Sequence, residues 1–137
     1  MSEHFTLRLQ AGTTERLQRR AKTTGAAPRS LASRYVEEGI RHDDNPLIYF
    51  VDGETGRRAA LLGTQLDVWE VIATVRDNDN DVQAAAEYLN LPVGLVEAAV
   101  SYYGEFRDEI DAEIALNEAE SQRGLEAYRK GQLALGR

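Results

Sequence analysis

Thr6 and Arg8 alternate with Phe5, Leu7 and Leu9 near the start of the chain. That period of two predicts a short strand, apolar on one face and rich in hydrogen-bonding groups on the other. Arginine can donate two bonds to guanine O6 and N7, and threonine can bond a base edge or touch a thymine methyl. The chemistry on offer is therefore the reading of base edges by Thr6 and Arg8. A strand this small cannot fold alone, so its partner is expected to be a second copy of the chain, and the paired ribbon would present Thr6 and Arg8 twice.

A second set of reactive side chains is acidic: Asp52 and Glu54, then Glu105, Asp108, Glu109, Asp111 and Glu113. Paired carboxylates can do general acid and base work, but nothing beside these in the sequence would raise a pKa, and acid-rich helices are commonly solvated faces. No combination of nucleophile, base and orienting group accompanies them, so the expectation is that the chain is not an enzyme. The chain has no cysteine, and His4 and His42 lie far apart. Thiolate chemistry and disulfides are excluded, and neither a metal site nor a cofactor is expected.

The net charge of -7 is unevenly placed. Residues 1–34 carry seven Lys or Arg against two acids, and residues 35–137 carry nine against twenty-one. A basic module for a polyanion and an acidic remainder for solvent or a basic protein are implied. No apolar run approaches the roughly 20 residues that span a bilayer, and the polar start lacks the apolar core of a signal peptide. No membrane partner is expected, and the expected location is the cytoplasm, on the nucleoid.

The elements that would position these groups can be read in order. Gly12, Thr13 and Thr14 suit a turn and cap, and a helix then runs to about Thr24 with Leu17 and Ala21 on its thin apolar face. Gly25 ends it, and Pro28 suits the first turn of a second helix carrying Leu31, Ala32, Tyr35, Val36 and Ile40. The stretch 41–46 breaks the pattern and marks a domain boundary. Residues 47–51 and 57–62 read as a hairpin around the turn 52–56. Asp67 caps a helix through Val75, Asp81 caps the next, and a longer helix runs from about Pro92 through Phe106 to Ile114 around a core centred on Trp69. From Asn117 the stripe thins to Leu125, Tyr128, Leu133 and Leu135. The predicted class is mainly α with short β elements, divided at 1–45, 46–116 and a helical or disordered tail 117–137.

Strand, helix, glycine turn and helix within forty residues resemble the ribbon-helix-helix family. The matching residues are 5–9, then Leu17 and Ala21, then Gly25, then Leu31, Ala32 and residues 35–40. The resemblance covers about a third of the chain. It implies an intertwined homodimer whose two-stranded ribbon enters the major groove of double-stranded operator DNA, with base readers at Thr6, Arg8, His4 and Gln10. It also implies a phosphate seat on the amino end of the second helix, here Ala27, Arg29 and Ser30. Many members have Ser or Thr where this chain has Ala27 and Arg29, so backbone amides and Arg29 would replace a hydroxyl.

Residues 46–104 resemble a small bacterial domain of unknown function that often follows such segments in antitoxins. That likeness rests on the hairpin, on residues 62–64 running into 67–72, and on the helical pair 82–89 and 93–103. The functional expectation is a sequence-specific repressor that doubles as the antitoxin of a toxin-antitoxin pair. Its acidic end would neutralise a PIN-like ribonuclease toxin through Glu109, Glu113, Leu125, Tyr128 and Leu133. The alternative is a stand-alone regulator with a dimerising or ligand-sensing carboxy-terminal domain.

Overall fold

The structure is a computed structural model that describes residues 3–53 and 56–136. Its elements in order are α1 (Ala11–Thr24), α2 (Pro28–Asp44), β1 (Ile48–Gly53), β2 (Gly56–Leu61), α3 (Val68–Asp77), α4 (Val82–Leu89), α5 (Val93–Glu105) and α6 (Arg107–Leu135). The protein is mainly helical with one two-stranded antiparallel hairpin. It divides into two compact units, residues 1–44 and 45–137.

In the first unit α1 begins before the expected cap. Gln10 is extended at the N-cap position with no side-chain cap bond. Thr13 and Thr14 fall inside the first turn, where Thr14 Oγ1 donates back to the Gln10 carbonyl at 3.3 Å. A hydroxyl used this way satisfies a carbonyl rather than a free amide. Gly25 ends α1 at φ 75, the left-handed conformation glycine adopts without strain. Pro28 opens α2, where its missing N–H breaks no bond. That helix continues to Asp44, past the expected break, with Arg41 and Glu37 paired at 2.9 Å one turn apart. Pro46 disfavours helix at the residue before it, so Asn45 leaves the helix. Ala21 and Leu31 are the buried side chains described in this unit.

The second unit is built on a hairpin whose register pairs Ile48 with Leu61 and Phe50 with Ala59. Glu54 and Thr55, within the expected turn, lie outside the described residues. Asp67 starts α3 with a reciprocal capping box: its side chain accepts from the Glu70 amide, and the Glu70 carboxylate accepts from the Asp67 amide at 3.0 Å. Asp81 caps α4 by accepting from the Ala84 amide at 3.1 Å, and Asn90 ends it at φ 55. The core joins Ile48 and Leu61 of the hairpin to Val68, Val71 and Ile72 of α3, Val96, Ala99 and Tyr102 of α5, and Ile110 and Ile114 of α6.

Three expectations are corrected here. The long helix from Pro92 is broken at Phe106, whose φ of -121 and ψ of 44 lie outside the helix. Phe106 stays one turn from Tyr102 across this break, with the two ring centroids 4.6 Å apart. In turn α6 passes Asn117 without interruption for 29 residues, so no boundary separates a tail from it. Trp69 is not the centre of the core. It is half-buried at the edge, its Nε1 donating to Asp67 Oδ2 at 3.1 Å, while Tyr102 is the largest fully buried side chain.

Tyr102→Ala is expected to cost about 3–5 kcal/mol, the range for truncating a buried aromatic. The shift in urea midpoint at constant slope measures it. A loss under about 1 kcal/mol would mean that α5 and α6 do not depend on this ring.

Candidate nucleic-acid interface

Residues 3–10 precede α1 without strand pairing inside the single chain. The expected strand pairs with none of the described residues, and the two strands that are described, β1 and β2, pair with each other in the second unit. His4, Thr6, Arg8 and Gln10 are exposed, and so are the apolar residues between them, from 88% for Phe5 to 36% for Leu9. Leu7 and Leu9 line an apolar groove of about 250 Å³ with Leu17 of α1 and Ala32, Tyr35 and Val36 of α2. Thr6, Arg8 and Gln10 do not line it, so the alternation read in the sequence also separates the two sets in space.

Exposure of Tyr35, Val36 and Ile40 extends this apolar surface along α2. Helical spacing had placed those residues in a core, and in the single chain they are uncovered. Periodicity identifies a face to be buried but not whether the burying surface belongs to the same chain.

At the other end of α2, Ala27, Arg29 and Ser30 are all exposed. The Ala27 carbonyl accepts from the Leu31 amide at 3.0 Å, which leaves the first-turn amides of Arg29 and Ser30 without an intrahelical acceptor. Amides at that end, with the positive end of the helix dipole behind them and Arg29 beside them, can hold an anionic oxygen. Arg16, Arg19, Arg20 and Lys22 are exposed on α1. Arg16 donates to Thr13 Oγ1 at 3.2 Å, and Arg16 and Arg20 also lay their stems along the apolar groove.

Four acidic residues of the second unit, Asp67, Glu109, Asp111 and Glu113, fall into two networks that the sequence did not reveal. In one, Asp111 of α6 accepts from the Tyr103 hydroxyl of α5 at 2.8 Å and pairs with Arg76 of α3. The Tyr103 hydroxyl and then Arg76 hold its carboxyl below the ordinary range. In the other, Tyr102 donates to Glu109 Oε2 at 3.0 Å, Asp67 contacts Arg58 Nε at 3.0 Å, and half-buried Glu113 lies near both acids. Burial, then Glu109 and Asp67, push the Glu113 carboxyl up to about 7, against a smaller opposing pull from Arg58. The expectation that no acid here has a raised pKa is overturned: burial comes from the tertiary packing and Asp67 is distant in sequence, while Glu109 lies one turn before Glu113 on α6. Glu113 Oε2 is buried and accepts no hydrogen bond among the described residues.

The five residues expected to face a partner are thus differently placed. Leu125, Tyr128 and Leu133 are exposed on α6, Glu109 is exposed but engaged by Tyr102, and Glu113 is half-buried in the acid network. Among the described residues no group of acids or histidines is placed to hold a metal, and no helix is long and apolar enough to cross a membrane. In comparisons with protein-family models, curated proteins and solved structures, nothing matches the chain.

Protonated Glu113 favours the folded state, because folding raises its pKa from the ordinary 4.5 to about 7. That stabilisation is complete below pH 4.5 and is lost as the pH rises through 7. Glu113→Gln, which keeps the neutral shape, is expected to match the wild type at pH 4.5 and to be the more stable of the two at pH 8. Urea midpoints across this window check it, and parallel curves for the two proteins would assign the pH dependence elsewhere.

Proposed function

We propose that the chain is a homodimeric, sequence-specific DNA-binding repressor of the ribbon-helix-helix kind. Two copies pair their segments 3–10 into a ribbon that carries Thr6 and Arg8 into the major groove, flanked by His4 and Gln10. Ala27, Arg29 and Ser30 seat a backbone phosphate. The observation that carries this reading is the first unit itself: among the described residues it has two buried side chains and an uncovered apolar surface of Phe5, Leu7, Leu9, Tyr35, Val36 and Ile40. A second copy would cover that surface and, through the alternation, leave the polar face outward.

The repressor is proposed to act as the antitoxin of its operon, with the exposed Leu125, Tyr128 and Leu133 of α6 covering part of a ribonuclease toxin. A stand-alone regulator with a self-associating carboxy-terminal unit is the second reading. It is favoured by the diversion of Glu109 and Glu113 into contacts within the fold, which removes two acids expected to meet a basic toxin.

In gel-shift titrations of the native promoter, Arg8→Ala is expected to lose preference for the operator by about 1–3 kcal/mol per guanine contact, while retaining weak salt-sensitive binding. Equal preference in variant and wild type would remove Arg8 as a reader. Deleting residues 117–137 is expected to spare operator binding and abolish rescue of cells expressing the adjacent toxin. Rescue by the truncated chain would transfer the antitoxin role to another surface.

A further inference from the structure

We infer that the exposed half of α6 is a self-association surface, on which the α6 helices of two copies lie antiparallel and the free end of each covers the groove beside Trp69 of the other. This stands on the second unit alone and does not depend on the DNA-binding reading; it deepens the stand-alone second reading above, since a second copy would take the Leu125 and Tyr128 surface otherwise offered to a toxin.

From Glu118 to Gly136 every residue is exposed. Helix 118–135 is roughly 27 Å long at 1.5 Å per residue. A helix of that length with so little burial is marginal in water, and apolar contact along one face is what ordinarily sustains it. Such a face exists. Ile114, Ser121, Leu125, Tyr128 and Leu135 recur at intervals of seven, four, three and seven residues, one stripe of a 3.6-residue helix. The early part of this stripe, with Trp69 and Ala73 of α3, lines a groove of about 530 Å³. Its later part, Tyr128 and Leu135, is exposed.

One stripe that lines a groove at its start and is bare at its end suits a two-fold pairing, in which the bare end of each copy lies over the groove of the other. Charge selects the same occupant. Glu118 and Glu120 give residues 118–122 two acids and no base, whereas Arg123, Arg129 and Lys130 outnumber Glu126 in residues 123–136. The whole stretch is neutral, so it offers no net attraction to a strongly charged partner. Antiparallel pairing sets the acidic half of each helix against the basic half of the other, while parallel pairing sets like on like. On the α3 wall of the groove Asp77 is offset by Arg76, so the acidic character there rests on Glu118 of α6. Gly124 and Gly131 each disfavour an exposed helix by about 0.8–1 kcal/mol relative to alanine, and close approach of a second backbone accounts for their presence.

The absence of cysteine makes cross-linking clean. In the full chain, Leu125→Cys sits near the two-fold axis implied by opposing residues 118–120 to 129–130, and Leu135→Cys sits at the helix tip. Mild oxidation is expected to link Leu125→Cys into dimers and to leave Leu135→Cys unlinked. Linking at both positions would mean parallel helices, and linking at neither would assign the stripe to a different protein. Either result overturns the inference. In the Leu125→Cys background, E118K/E120K and R129E/K130E are each expected to lose the link when alone and to regain it when mixed. Helical circular dichroism and a cooperative urea transition establish that the variants are folded. Failure of folded variants to link on mixing would also overturn the inference. Trp69, the single tryptophan, gives a second readout: its emission is expected to shift to the red on dilution of the wild type and to stay constant in either charge variant.

Discussion

The first unit is constrained by how little it can bury. Ordering a backbone costs roughly 1–2 kcal/mol per residue, and a fully buried large apolar side chain returns about 1.5–3 kcal/mol. With Ala21 and Leu31 as its buried side chains, a stretch that ends at Asp44 falls well short. The shortfall must be met by surface from outside that stretch, and the residues available for it are the exposed Phe5, Leu7, Leu9, Tyr35, Val36 and Ile40. In the proposed dimer the segment that completes the fold is also the one that touches bases. Folding, self-association and DNA reading would then not be separable by mutation of its apolar residues, whereas Thr6 and Arg8 could be changed without loss of apolar cover.

The second unit solves the same problem within one chain. Its polar groups act as joints between elements that the core alone would leave free to slide. Asp67 accepts from the Glu70 amide and from Trp69 Nε1 while contacting Arg58, so the start of α3 is fixed both to its own first turn and to β2. The Arg76, Tyr103 and Asp111 network ties α3, α5 and α6 together at the rim. These exposed pairs add little energy individually, but they specify which helix faces meet. Glu113 is the exception, a carboxyl placed where its charge is disfavoured and whose protonation therefore reports on the packing of α6.

Elements defined by local chemistry were legible in the sequence. Gly25 and Pro28 set helix ends through their backbone preferences, and Asp67 and Asp81 through bonds made within a few residues. The paired halves of the hairpin were legible for the same reason, since alternation and a glycine-bounded turn are short-range signals. What was not legible depends on contacts distant in sequence. The shift of Glu113 comes first from burial and in part from Asp67, distant in sequence, although Glu109, one turn away on α6, also contributes. The strand at residues 3–10 had a clear pattern, yet a strand is a pairing rather than a conformation, and among the described residues this segment pairs with no other strand. The residues expected to read DNA thus lie exposed in the first unit, while the acids expected to meet a toxin are partly drawn into the second.

Charge places a further condition on any DNA complex. Residues 35–137 carry twelve more acids than bases, and most of them belong to the second unit. A duplex carries one phosphate charge per about 1.7 Å of axis, so that unit is repelled wherever it approaches within a Debye length of about 8 Å at physiological salt. The basic excess in residues 1–34 is five, and the phosphate contacts it can make are correspondingly few. Affinity for DNA of arbitrary sequence should then be weak, because backbone attraction from one end is opposed by repulsion from the other. Under that condition base contacts carry a larger share of binding than in a uniformly basic protein. In the proposed repressor, the acidity of the second unit, which looks at first like an argument against nucleic acid, would help to keep the protein off non-operator DNA.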